Sequence, residues 1–361
     1  MSDRIYLDHA ATTPLRPEAA AALDLGRSIW ANPSSPHAEG RKARQALEDA
    51  RREVAAALNW TGEAVFTAGA SEAASLSLGQ AKGGERFVSA VEHDAILKAV
   101  PDATILPVDA DGSINAQRLA DMLLATTRPV VAIQSINSET GNQQDIPALS
   151  QIVHEAGGVL IVDASQSAGK MPLPDGADAV IVSAHKLGGP IGIGALLLRD
   201  FALLEPVGGQ ERGYRRGTEN LPAAMAFAAA LKACREPYCD PAILAPVRER
   251  LAPACAEFGA VRLADRLAHP TPYIEALAMQ GISGSAQLMR FDMQGFAISQ
   301  GSACSSGSLR GSHVLQAMDL DPAIAENVIR VSFGWNTTRE EVERFCTVWI
   351  AMAREGRDKS A

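Results

Sequence analysis

A chain of 361 residues exceeds what one hydrophobic core usually serves, and a hydrophobic content of 47% is ample for two. The net charge of −9 argues against stable nucleic-acid binding, which needs Lys and Arg concentrated on one face. The start of the chain carries no cationic segment followed by an apolar stretch, and nowhere do eighteen apolar residues run together, so no membrane association is expected and the chain reads as cytoplasmic.

The first helix legible in the sequence follows Ser35-Pro36, read as an N-cap with Pro in the first turn. Its apolar stripe is Ala43, Leu47, Ala50, Val54 and Leu58, with arginines and acids expected to face water. Between residues 64 and 198, short apolar runs alternate with helix-like segments, at 64–67, 86–89, 103–108, 130–136, 159–163, 179–183 and 194–198. This is the pattern of a seven-stranded α/β sheet. Most gaps accommodate a crossover helix and imply parallel neighbours, but about ten residues separate the last two strands, so the seventh is expected to run antiparallel. Residues 200–222, rich in Gly and charge, read as a loop before an Ala-rich helix over 223–233, and the domain boundary is placed just beyond it. Near the end, Thr338-Arg339-Glu340-Glu341 has capping-box form ahead of Val342, Phe345, Cys346, Trp349 and Ile350, so an amphipathic helix followed by a short polar tail is expected.

Chemistry concentrates where strands end, which is where α/β folds place ligands. In Phe66-Thr67-Ala68-Gly69-Ala70-Ser71-Glu72 a strand passes through a small-residue turn into a helix, offering backbone N–H groups and a hydroxyl to an anion. His93 follows another strand, where an imidazole can stack on a cofactor ring and exchange protons near neutrality, or serve structure alone. Asp163 ends a buried strand; it suits a pyridine nitrogen, and equally a metal or a helix cap, although no second carboxylate cluster supports a metal. The chain has only seven lysines, and Lys186 directly follows an apolar strand and precedes a glycine-rich turn. A lysine desolvated there could condense with an aldehyde cofactor, the alternative being a surface lysine. Of the five cysteines, at 234, 239, 255, 304 and 346, four read as core filler in a reducing compartment. Cys304 stands apart, among small, polar residues that suit a mobile nucleophile.

With these segments stand Tyr6-Leu7-Asp8-His9-Ala10-Ala11-Thr12-Thr13-Pro14, Ala31-Asn32-Pro33, Val162-Asp163-Ala164-Ser165-Gln166-Ser167, Ser183-Ala184-His185-Lys186, Arg216-Gly217-Thr218, Gly301-Ser302-Ala303-Cys304 and Ile329-Arg330-Val331-Ser332. On these residues, nearly end to end, the chain resembles the cysteine desulfurases of the NifS/IscS group, in the class V branch of fold-type I enzymes dependent on pyridoxal 5'-phosphate. The resemblance implies a large α/β domain over 15–235 that binds the cofactor on a seven-stranded, mostly parallel sheet. It implies a smaller α+β domain, from 1–14 and 236–361, that carries the catalytic cysteine loop. Carried over position by position, it makes Lys186 the lysine that bears the cofactor, sets Asp163 on the pyridine nitrogen and Gln166 near the ring hydroxyl, and stacks His93 on the ring. Ala70, Ser71, Ser183 and His185 would hold the phosphate, and Thr218 would reach the phosphate of a partner subunit in a homodimer. Arg330, with Asn32 nearby, would hold the carboxylate of L-cysteine, and Cys304 would accept the sulfur as a persulfide and pass it to a sulfur carrier or iron–sulfur scaffold protein. A selenocysteine lyase, a class V aminotransferase or a noncatalytic scaffold are the rival readings. Two departures stand out: Ser138 occupies a position where the family usually has an Asn that holds the ring oxygen, leaving either Ser138 or a shifted Asn137 to serve, and the chain stops at Ala361, short of the longer tail some relatives use to dock a scaffold.

Overall fold

The computed structural model describes residues 4–301 and 311–360. The chain opens with strand β1 (Ile5–Tyr6) and helices α1 (Pro17–Ser28) and α2 (Ala38–Ala57), then alternates β2 (Glu63–Thr67), α3 (Ala70–Gln80), β3 (Arg86–Ser89), α4 (Asp94–Ala99), β4 (Thr104–Leu106), α5 (Ala116–Leu123), β5 (Val130–Gln134), α6 (Ile146–Glu155) and β6 (Val159–Asp163). Strands β7 (Ala179–Ser183) and β8 (Gly194–Leu198) complete a seven-stranded sheet ordered β2-β8-β7-β6-β5-β3-β4. As the ten-residue gap predicts, β8 is antiparallel to both its neighbours, while β3 to β7 run parallel.

The strands read as nearly continuous apolar runs because both faces of the sheet are covered. Val131, Ile133, Leu160 and Val162 point to one side, and Val130, Ala132, Ile161 and Ile181 to the other. Helices α1, α2 and α7 (Leu221–Lys232) pack together beside β2, β7 and β8, and α7 is so rich in Ala because most of its circumference is buried. Two expectations for α2 need correction. Its N-cap is His37, whose Nδ1 accepts from the Gly40 amide at 3.2 Å, because the backbone of Ser35 folds back against Gly40. Not all of its arginines face water: Arg51 is buried, held by a carboxylate that arrives from the loop after β8.

The rest of the chain builds a second core. Helices α8 (Pro241–Pro246) and α9 (Ala252–Phe258) lead to strands β9 (Val261–Arg262) and β10 (Ile274–Ala278). Then follow α10 (Gly284–Met293), β11 (Phe296–Ala297), α11 (His313–Ala317), α12 (Pro322–Ala325), β12 (Val328–Ser332) and α13 (Arg339–Ser360). β12, β10 and β9 form an antiparallel sheet against which Phe291, Phe296, Phe345 and Trp349 pack, the first three ring against ring. The N-terminal strand joins this core, since β1 pairs with β11. Residues 8–13 then cross to the large sheet, where the Thr13 amide donates to the His185 carbonyl at 2.8 Å.

The capping box at α13 is formed in both directions: the Thr338 amide donates to Glu341 Oε2 at 2.8 Å and the Glu341 amide to Thr338 Oγ1 at 3.3 Å. The helix runs to Ser360 rather than giving way to a polar tail. Thr338→Ala is expected to lower the unfolding free energy by about 1 kcal/mol, measurable by urea titration. No helix among the described residues is long and apolar enough to cross a membrane.

Candidate active site

The C-terminal ends of β2, β3, β5, β6 and β7 share one edge of the sheet, where a cavity of about 550 Å³ opens, a size suited to a small organic cofactor. Ala70, Ser71, His93, Ser138, Asp163, Gln166, Ser183, His185 and Lys186 all line it. Two glycines make room at its rim. Gly69, with φ +143°, sits in a region that L side chains rarely adopt and leads into α3 with no side chain capping the helix. A Cβ on Gly194 would lie 2.5 Å from the Val182 carbonyl oxygen and 3.0 Å from the Gly69 Cα, so β8 can start against that turn only as glycine. The open first turn of α3, with the Ser71 and Ser183 hydroxyls and His185, makes a corner whose chemistry suits an anion. Arg215 steadies its lip by donating to Glu72 Oε2 at 2.9 Å.

On the opposite side stands the Asp163 carboxylate, turned into place by the Ser165 amide at 2.8 Å. Behind it Glu92 is fully buried; burial, reinforced by the charge of Asp163, drives its pKa well above the usual carboxylate range, and its Oε1 accepts from the Gln134 amide at 2.8 Å. His93 caps α4, its Nδ1 accepting from the Ala95 amide at 3.1 Å, which leaves Nε2 to carry the ring proton. Burial lowers the pKa of His93 against the opposing pull of Asp163, and burial with the Lys186 and Lys170 charges takes His185 to about 4. Both imidazoles are neutral at pH 7. For His185 the folded value lies below the unfolded 6.5, so the unfolded chain binds the extra proton as pH falls from 6.5 towards 4. Stability is therefore lost across that window, and the melting temperature of His185→Gln is expected to fall less than wild type between pH 7 and pH 4.5 in calorimetry.

Lys186 follows β7 in a short 3₁₀ turn, and its Nζ donates to the Ala10 carbonyl, brought there by the N-terminal crossing segment. The same carbonyl accepts from Gln166 Nε2 at 2.8 Å. Ser138 lines the cavity, whereas Asn137 is locked in its own turn, Oδ1 accepting from the Glu139 and Thr140 amides and Nδ2 donating to the Val91 carbonyl. Of the two, Ser138 is the one that faces the site. Arg330 is buried just behind it, donating to the Ser138 carbonyl at 2.9 Å and to Asp8 Oδ1 at 2.8 Å.

Other candidates are placed elsewhere. Asn32 is exposed and outside the cavity, with Oδ1 accepting from the Ser34 amide at 2.8 Å; Thr218 is likewise exposed and outside it. Cys304 lies outside the described residues. The other four cysteines are free, three of them buried, and burial raises the thiol pKa of each, to about 12 for Cys239, Cys255 and Cys346, as befits core filler. Sequence reasoning missed the wall made by Ile191, Gly192 and Ile193, and it missed Lys170, a buried lysine next to Gln166. Its signal was a lysine four residues after Gln166 in a small-residue turn.

The donor set fits pyridoxal phosphate: an amine to condense with its aldehyde, a carboxylate for its ring nitrogen, a neutral imidazole, and an uncapped helix end with two hydroxyls for its phosphate. Comparison with known proteins agrees. The aminotransferase class-V family model matches residues 5–345. An "IscS-like cysteine desulfurase" from Mycobacterium tuberculosis is 35% identical over 370 residues, covering 94% of this chain and 93% of that protein. A "cysteine desulfurase" from Frankia sp. is 37% identical over 374 residues, covering 94% and 88%. The X-ray structure of a NifS-like protein from Rickettsia africae superposes with a TM-score of 0.86 at 26% identity, covering 97% of this chain and 99% of that one. Fold, site and these matches agree that the chain belongs to the aminotransferase class-V family, in its cysteine desulfurase group.

Proposed function

We propose that the chain is a cytoplasmic, homodimeric cysteine desulfurase dependent on pyridoxal phosphate, converting L-cysteine to L-alanine and passing the sulfur through Cys304 to a sulfur carrier or iron–sulfur scaffold protein. The observation that carries this reading is the convergence of the Lys186 amine, the Asp163 carboxylate, the neutral His93 ring and the open end of α3 on one cavity.

The cofactor held here supplies an electron sink for the substrate carbon. Ser71, Ser183, His185 and the Ala70 end of α3 would take its phosphate, Asp163 would hold a proton on its ring nitrogen, and Gln166 and Ser138 would serve its ring oxygen. Lys186 would hold it through its amine and is the residue placed to take the Cα proton of the substrate. The Arg330 guanidinium binds the substrate carboxylate, with Asn32 the second candidate for that contact. The Cys304 thiolate attacks the substrate sulfur: the S–S bond forms as the C–S bond breaks, and the electron pair passes to the substrate carbon, which takes up a proton to become the methyl of alanine. His93 is placed to deliver or remove a proton. Thr218, exposed outside its own cavity, reaches the phosphate site of a second copy.

The test is alanine and sulfide release from L-cysteine with an added thiol reductant. Equal yields from wild type, both lost in Cys304→Ser, are expected. Alanine formation that survives in Cys304→Ser would overturn the persulfide route in favour of a lyase or aminotransferase.

A further inference from the structure

Lys170 is only 4% exposed, yet no ion pair to a carboxylate compensates it among the described residues. The titratable and charged groups around it are Lys186, Arg330, His9, His185, Cys234 and Cys239, and it lies 5.3 Å from the ring centroids of both Tyr238 and Tyr273. Burying an amine in such company costs stability, and an apolar side chain of the same length would do better. Its purpose is visible in its one hydrogen bond to a side chain: Nζ donates to Gln166 Oε1 at 3.1 Å. The other end of that amide, Nε2, donates to the Ala10 carbonyl at 2.8 Å.

A glutamine amide can flip at little cost in water, because its two ends are nearly isosteric. Here a flip sets Oε1 against the Ala10 carbonyl oxygen, which repels it in either protonation state of Lys170, and sets Nε2 against an amine that repels it when charged and meets it only through a lone pair when neutral. Burial and the charge of Lys186 bring the Lys170 pKa down to about 7, but both protonation states keep an N–H for Oε1. Gln166 lines the cavity, so the orientation of its amide decides whether the site is offered a donor or an acceptor.

We infer that Lys170 is a positioning residue of the cofactor site, which by donating to Gln166 Oε1 holds the amide with its N–H end toward the ring oxygen of the cofactor. The inference rests on the reading of the cavity as a pyridoxal-phosphate site. It accounts for a buried lysine that neither carries the cofactor nor touches it.

A double-mutant cycle on the full chain stripped of cofactor tests it, reading the dissociation constant for added pyridoxal phosphate, with apoprotein melting as the control for folding. Lys170→Met is expected to melt no lower than wild type and to bind the cofactor roughly tenfold more weakly, the worth of one hydrogen bond. In a Gln166→Ala background the same change is expected to have no further effect, and Lys170→Arg, which keeps a donor, to recover most of the affinity. If Lys170→Met does not fold, Lys170→Leu enters the same cycle. Unchanged affinity in the lysine variant, or an equal loss with and without Gln166, overturns the inference. Wild type that binds no pyridoxal phosphate overturns the proposed function along with it, whereas wild type that binds with an additive cycle overturns the role of Lys170 alone.

Discussion

Replacing Lys186 by alanine is expected to abolish alanine and sulfide formation from L-cysteine, by on the order of 10³-fold or more, without unfolding the chain. The amine leaves, but Ala184 and Leu187, both fully buried, continue to anchor the turn after β7, and the backbone bond from the Thr13 amide to the His185 carbonyl is untouched. The cavity therefore survives without the Lys186 amine. Borohydride treatment followed by peptide mapping is the sharper measurement, because two lysines, the buried Lys170 and the half-buried Lys186, stand in the same hydrogen-bonded cluster. Label is expected on Lys186 in wild type and in Lys170→Met, and on neither lysine in Lys186→Ala. Label on Lys170 would mean that the assignment of the anchoring amine is wrong.

The largest effect on stability is expected at Arg51. Its guanidinium meets the Glu211 carboxylate with both terminal nitrogens, at 2.6 and 3.2 Å, donates to the Ala64 carbonyl at 2.8 Å and lies over the Phe66 ring. Glu211 in turn accepts from the Phe66 amide at 3.0 Å, so α2, β2 and the loop after β8 are tied at one point. Arg51→Met leaves the Glu211 carboxylate buried beside an apolar chain, and breaking a buried pair in this way costs roughly 3–5 kcal/mol. Urea unfolding is expected to show a loss of that size, with Arg51→Met/Glu211→Gln recovering part of it, because no charge is then stranded and the amide oxygen can still accept from the Phe66 amide. The single variant is also expected to weaken cofactor retention, since Arg215, which steadies the lip of the phosphate corner, follows Glu211 in the same loop. A loss below about 1 kcal/mol would place this pair with ordinary surface bridges.

What the sequence determined by itself is what depends on near neighbours. Seven apolar runs became seven strands, though 130–136 ends as a strand at Gln134 and 103–108 shortens to 104–106. The antiparallel seventh strand followed from a gap too short for a crossover, and the box at Thr338 from residues three apart. Lys186, Asp163, His93 and Ser71 were legible because each lies just past a strand, and parallel strands deliver such residues to one edge whatever their order. Only the tertiary structure decided what depends on which distant segments meet. The N-terminal crossing segment had to reach the large sheet before the Ala10 carbonyl could stand between Gln166 and Lys186. Glu211 had to arrive 160 residues after Arg51 before that arginine could be buried. The choice between Asn137 and Ser138, and the amine of Lys170 behind Gln166, rested on which side chain the surrounding packing turned toward the cavity. Local sequence sets backbone preference and apolar period, but Arg51 is buried against Glu211 only because the whole fold brings the two together, and no window along the chain contains both.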